Sequence, residues 1–147
     1  MIVAHGGLAR EYLAAVEHVV GPQTGIRAVT IEEDHDRAAK QDEICVAANE
    51  VDTGDGVVIV TDLFGGSPSN LSMPACIPHE RRILYGANLP MLVKLAKSRH
   101  LAVGPAAELA AEAGRKYIDC YAPADSDAGQ LGDRDDPRRA PVRRAAL

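Results

Sequence analysis

The sequence predicts an α/β protein, a three-layer sandwich built around a mainly parallel sheet. Short apolar runs alternate with segments of helical spacing along residues 1–121, as in chains assembled from strand–helix units. The run Val57–Val60 consists of four β-branched residues, which is typical of a strand buried on both faces. Right-handed connections between such strands favour the order 2-1-3-4 across the sheet.

The first half of the chain is predicted to form two strand–helix units. Met1–Ala4 is a short apolar strand, and helical spacing follows over Leu8–Val20. Ile26–Ile31 is interpreted as the second strand. The acidic residues 32–36 are interpreted as the solvated, aspartate-capped start of a second helix that ends near Val51.

A glycine-rich turn follows the central strand. Asp62 falls where that strand ends, and Gly65-Gly66 allows a tight turn whose backbone is open to a ligand. Ser67 is predicted to cap the next helix, with Pro68 as its first helical residue. The turn therefore places a carboxylate beside a helix start at the edge of the sheet.

The second half of the chain continues the alternation. Pro74 and Pro78 predict that the helix after the turn is short or kinked. Gly114 is expected to end the helix before the last strand. The remaining elements are predicted as a strand at Arg82–Tyr85, helices at Met91–Ser98 and Gly104–Ala113, and a strand at Arg115–Tyr121.

Composition limits the possible locations and partners. A length of 147 residues suits a single domain, and a net charge of -5 argues against nucleic acid as a main partner. No apolar run reaches membrane-spanning length, and Met1 leads straight into a strand rather than a signal peptide. The three cysteines are widely spaced, as expected in a reducing compartment. These features predict a cytoplasmic protein.

The composition changes after Tyr121. Residues 122–147 are rich in Pro, Gly, Asp and Arg and have few large apolar groups. Such a segment cannot bury enough surface to offset its ordering entropy. We therefore expect a domain over residues 1–121 and a disordered tail over residues 122–147.

His5 and Asp62 form the candidate catalytic pair. In the order 2-1-3-4 they end two adjacent strands at the switch point, where α/β proteins bind ligands. A carboxylate that binds one imidazole nitrogen orients the other nitrogen outward as a nucleophile. Backbone amides around Gly65, Gly66 and Ser67 are placed to hold an oxyanion. The alternative is a strand-end histidine beside an aspartate that only forms the turn.

Metal binding is not expected. The five histidines do not show the spacing of a ligand cluster, and the cysteines form no C-x-x-C pair. The histidines other than His5 are predicted to lie on helix surfaces or in loops.

Three motifs resemble one family. Ala4–Glu11, Asp62–Asn70 and Gly86–Leu92 occur in the order found in the mannose-family enzyme IIA of the bacterial phosphotransferase system. The resemblance covers about residues 1–120. It implies a parallel sheet of order 2-1-3-4, with a fifth, antiparallel strand exchanged between the subunits of a homodimer.

The resemblance also implies a phosphotransferase with a phosphohistidine intermediate. His5 would accept the phosphoryl group from phospho-HPr, Asp62 would support it, and a IIB component would receive it. The phosphoryl oxygens would lie over the amides from Phe64 to Ser67. No metal or organic cofactor is implied.

Three other functions stay open at this point. One is a regulatory module whose phosphorylation state is read by a partner without sugar transport. Another is a histidine phosphatase, although that chemistry requires an arginine where this chain has Ala4. The third is a nucleotide-binding module, although the Gly65-Gly66 turn contains no lysine.

Overall fold

The structure, a computed structural model, describes residues 1–77 and 80–121. Its centre is a four-stranded parallel sheet in the order β2-β1-β3-β4, which confirms the predicted order. The strands are β1 (Ile2–His5), β2 (Ala28–Ile31), β3 (Val57–Thr61) and β4 (Arg81–Tyr85). Residues 1–117 form one compact unit.

Helices cover both faces of the sheet. They are α1 (Leu8–Val20), α2 (Arg37–Val51), α3 (Ser67–Ser72), α4 (Leu89–Lys97) and α5 (Val103–Lys116). One apolar cluster joins the sheet to α2 and the segment after α3, and includes Val3, Ile44 and Ile59. The other joins the opposite face to α1, α4 and α5. The predicted three-layer α/β sandwich is therefore confirmed.

The strand register brings the ends of β1 and β3 together. Val3 of β1 lies opposite Thr61, the last residue of β3. His5, which ends β1 two residues later, therefore extends to the level of the residues that follow β3. Parallel strands end at the same edge of the sheet, so this carboxyl edge collects the turns after β1 and β3.

The helix after the central strand is short, as the prolines predict. α3 ends at Ser72, and a 3₁₀ turn over Met73–Cys76 contains Pro74. The cap differs from the prediction, because Gly66 is the N-cap and Ser67 is already the first helical residue. In α2, by contrast, Asp36 is the cap, and its side chain accepts a hydrogen bond from the amide of Ala39.

The prediction that Gly114 ends the last helix was wrong. α5 continues through Gly114 to Lys116, so the first two residues of the predicted strand Arg115–Tyr121 are helical. A Cβ on Gly114 would lie 2.9 Å from the Met91 side chain, which shows how closely the glycine lets α5 pack on α4. Residues 118–121 form no regular structure in the single chain. The exchanged strand stays a prediction, and the predicted tail at 122–147 lies outside the described residues.

Over the described residues, the five helices include none whose length and apolarity would let it cross a membrane.

Candidate functional site

His5 stands at the carboxyl edge of the sheet with its side chain partly open to solvent. The residues before it in β1 are buried, which holds the strand firmly in the core. The His5 side chain is 44% exposed. Gly6 then turns the chain with a φ of 50°, and its amide donates to the carbonyl of Ile31 at 2.9 Å. A buried strand thus presents an accessible imidazole.

Asp62 binds the imidazole of His5, as the sequence predicted. Its Oδ2 lies 2.9 Å from Nδ1 of His5 and 3.3 Å from the backbone nitrogen of the same residue. A carboxylate only accepts hydrogen bonds, so the proton of the neutral ring resides on Nδ1. The lone pair is then on Nε2, which is the nitrogen available for a reaction.

The glycine turn passes directly beside the reactive side of the ring. A Cβ on Gly66 would lie 3.0 Å from Cε1 of His5 and 3.4 Å from Nε2. Any side chain here would therefore crowd the space next to the nucleophile. Glycine keeps that space free for an incoming group.

Side chains of α3 donate hydrogen bonds to the carbonyls of this turn. Asn70 donates from Nδ2 to the carbonyl of Gly65 at 3.1 Å, and Ser69 donates from Oγ to that of Gly66 at 2.9 Å. Within the described part of the chain, the amides of Phe64, Gly65 and Ser67 have no acceptor. Because the carbonyls accept hydrogen bonds from α3 and the amides have no acceptor, the turn favours binding of an anion above it.

Two polar atoms beside the site are buried without a hydrogen-bond partner among residues 1–77 and 80–121. They are Oγ1 of Thr61 and Oδ1 of Asp62. A buried unpaired oxygen destabilises the folded state. Asp62 therefore uses one oxygen for both bonds to His5 and leaves the other unsatisfied. Such unpaired groups are more common at functional sites than in a structural core.

An aromatic pair borders the same edge. The ring of Phe64 is 70% exposed and meets the ring of Tyr85 edge-on, with centroids 4.9 Å apart. Tyr85 was not among the site residues predicted from the sequence. The available signal was its position as the last residue of a strand, since all four strands end at this edge.

The other candidate groups lie elsewhere. His18 lies in the last turn of α1 and His100 follows α4, while His79 is outside the described residues. No group of three His, Cys, Asp or Glu residues over 1–77 and 80–121 could hold a metal ion. A cavity of about 180 Å³ lies at the opposite edge of the sheet, and one of about 690 Å³ lies beside β2 and α2. Neither is lined by His5 or Asp62.

Comparisons with known proteins identify the family of this chain. Residues 1–112 match the family model EIIA-man, described as the PTS system fructose IIA component. The mannose-specific EIIAB component of Escherichia coli K12 is 26% identical over 121 residues, which are 80% of this chain. The chain spans 38% of the length of that relative.

Solved structures show the same fold. A mannose/sorbose-specific IIA subunit from Enterococcus faecalis superposes with a TM-score of 0.73 at 24% identity, covering 84% of this chain and 94% of its own. A phosphotransferase system component EIIA from Streptococcus agalactiae superposes with a TM-score of 0.69 at 25% identity, covering 81% and 93%.

Proposed function

The chain belongs to the EIIA-man family of phosphotransferase-system components, and from that premise we propose that it is a phosphocarrier that uses His5. It accepts a phosphoryl group from phospho-HPr on this residue and passes it to a IIB component. The observation that carries the proposal is the 2.9 Å contact between Nδ1 of His5 and Asp62, which leaves Nε2 facing the glycine turn.

The transfer step follows from this arrangement. The lone pair of Nε2 attacks phosphorus, and the bond that joined phosphorus to the donor breaks, with its electron pair leaving on the donor. The ring gains positive charge as the new N–P bond forms. The carboxylate of Asp62 stabilises that charge through the proton on Nδ1.

The turn supports the transferred group. Its phosphoryl oxygens accept hydrogen bonds from the amides of Phe64, Gly65, Gly66 and Ser67. These donors are positioned before the reaction, so little reorganisation accompanies the transfer. The proposed mechanism needs no metal or organic cofactor, and it operates in the cytosol.

We also propose the homodimer and the domain boundary implied by the family. α5 ends at Lys116 and leaves Tyr117 67% exposed. Exchange of the following residues between two copies would cover such apolar groups and one free edge of the sheet.

Light scattering should give a dimer, and truncation after Tyr117 should give a less soluble protein. A well-folded monomer, in the full chain or after truncation at Tyr117, contradicts the dimer. Removal of residues 122–147 alone should leave the fold and the phosphorylation intact.

Incubation with enzyme I, HPr and phosphoenolpyruvate tests the function. We expect one acid-labile phosphate per chain on the natural protein, none on His5→Ala, and unchanged labelling on His100→Ala as a matched control. Phosphohistidine NMR should assign the phosphate to Nε2. Phosphate on Nδ1, or on another histidine, contradicts the mechanism.

A further inference from the structure

We propose that the cavity at the amino edge of the sheet binds a small apolar carboxylate, with the carboxylate on Arg99 and the carbon chain inside. This edge is opposite to the one that carries His5 and Asp62. The site is therefore separate from the proposed phosphorylation, and its test uses no phosphoryl donor.

The cavity joins a charged, exposed mouth to a buried apolar interior. Among the described residues, Arg99 and Asp55 are the charged side chains that line it, and both are exposed. In the interior, Ile2 of β1, Val60 of β3 and Leu92 of α4 are at most 4% exposed. A ligand with a charged head and an apolar body matches this arrangement.

The volume of the cavity limits the size of the ligand. An apolar protein cavity of about 150 Å³ stays dry and takes up one benzene molecule. This cavity has a volume of about 180 Å³ and by the same measure holds a chain of roughly six carbon atoms. The side chains of Val16, Leu95 and Val103 in its wall offer water no hydrogen bonds. An apolar chain is therefore favoured over water in the interior.

Arg99 supplies a cation that no acidic side chain of the described residues neutralises. Arg27 and Arg81 form ion pairs in this part of the chain, but Arg99 does not. The other charged group of the mouth, Asp55, accepts from Oγ1 of Thr53 at 3.4 Å. A guanidinium can bind a carboxylate through two parallel hydrogen bonds. Arg99 therefore favours an anionic head group.

Gly25 makes room for the guanidinium beside the cavity. Nη2 of Arg99 lies 2.8 Å from the point where a Cβ of Gly25 would stand, and the φ of Gly25 is 65°. Because Gly25 also lines the cavity, this contact places the charge of Arg99 at the mouth. Small-molecule sites typically combine a mostly apolar lining with a few such placed polar groups.

An NMR titration of the isotopically labelled full chain with hexanoate tests the site, because hexanoate combines a carboxylate with a short apolar chain. We expect amide shifts at the lining residues, and Arg99→Gln should raise the Kd about tenfold because a charge-assisted pair is lost. Hexanol, the uncharged ligand of the same length, should bind Arg99→Gln and the natural protein equally. Arg115→Gln is the matched control, since Arg115 is also exposed but does not line the cavity.

A second variant tests the interior of the cavity. Ala96 of α4 lines it, and Ala96→Leu fills part of its volume. We expect this variant to lose binding of both hexanoate and hexanol, since the chain of either ligand needs the space that the leucine occupies. Circular dichroism checks that the variant is folded.

Absence of amide shifts with hexanoate overturns the proposal, as does an equal Kd for hexanoate in Arg99→Gln and the natural protein. Hexanoate binding retained in Ala96→Leu would locate the ligand elsewhere and also overturns it. Tighter binding of hexylamine than of hexanoate would contradict an anionic ligand. None of these outcomes bears on the phosphorylation of His5.

Discussion

Two aspartates at opposite edges of the sheet each bind a basic side chain, with opposite results. At the amino edge, Asp52 accepts from Nε and Nη2 of Arg81 at 3.0 and 2.8 Å. The Arg81 side chain is 4% exposed and also donates to Asn49 and to the carbonyl of Ala75. At the carboxyl edge, the imidazole bound to Asp62 is 44% exposed.

The difference lies in how completely each pair is satisfied. The guanidinium of Arg81 uses three nitrogens, and its bond to Asp52, aided by the amide of Gly54, lowers the pKa of that carboxyl group below its ordinary value of 3.8. In the second pair, Nε2 of His5 lies beside Gly66 of the glycine turn, and Oδ1 of Asp62 has no partner over the described residues. We call Asp52–Arg81, in which the bonding groups have partners, the saturated pair, and Asp62–His5 the unsaturated pair. The saturated pair stabilises the fold, whereas the unsaturated pair keeps hydrogen-bonding groups free for a reaction.

The largest expected effect comes from breaking the saturated pair. Arg81→Met should lower the free energy of unfolding by on the order of 3–5 kcal/mol, because it leaves Oδ2 of Asp52, Oδ1 of Asn49 and the carbonyl of Ala75 without their donor. Urea denaturation measures this loss. Phosphorylation of the remaining folded protein should be unchanged. A variant as stable as the natural protein would show that the pair does not anchor β4.

Breaking the unsaturated pair should affect the rate rather than the fold. Asp62→Asn should slow phosphoryl transfer on the order of tenfold to a thousandfold, because an amide can hold the wrong tautomer and does not stabilise a cationic ring. Initial rates with phospho-HPr measure it, and Asp55→Asn, an exposed aspartate at the other edge, is the control. The melting temperature should change little. Transfer at the natural rate would remove Asp62 from the mechanism.

A smaller effect is expected from filling the space beside the ring. Gly66→Ala should slow transfer about tenfold, because its Cβ would lie 3.0 Å from Cε1 of His5 and would displace the ring from its reactive position. Gly104→Ala is the matched control, since, apart from its chain neighbours and its own helix backbone, no atom of the described residues lies within 4 Å of the Cβ it would add. Both variants are assayed by initial rates; equal rates for the two would show that the turn tolerates a side chain.

The smallest effect concerns pH. Because the pKa of Asp52 is lowered in the folded state, its stabilising contribution is present above the unfolded value near 3.8 and is lost as pH falls through the folded value. Below pH 5, the urea midpoint should therefore fall less steeply with decreasing pH in Arg81→Met than in the natural protein. Parallel curves would show that Asp52 does not titrate with unfolding.

Local patterns and strand topology predicted the order of the sheet and the meeting of His5 with Asp62, because both depend on short-range signals and general rules of connection. Pro74 likewise predicted a short α3. The Arg81–Asp52 pair and the Phe64–Tyr85 contact were missed, since neither carries a local motif and each depends on side-chain packing that the strand order does not specify. The predicted end of the last helix at Gly114 was too early. The packing of Gly114 on Met91 outweighs the low helix propensity of glycine, so α5 continues.

The two bonds to one oxygen of Asp62 have a consequence for repeated turnover. Oδ2 contacts both the backbone nitrogen and Nδ1 of His5, so it restrains the rotation of the side chain as well as its protonation. The conformational entropy of the imidazole is then lost once, when the chain folds, and not each time a group arrives. In the proposed carrier, loading and unloading would pass through one ring orientation, so the forward and reverse transfers would share a single geometry.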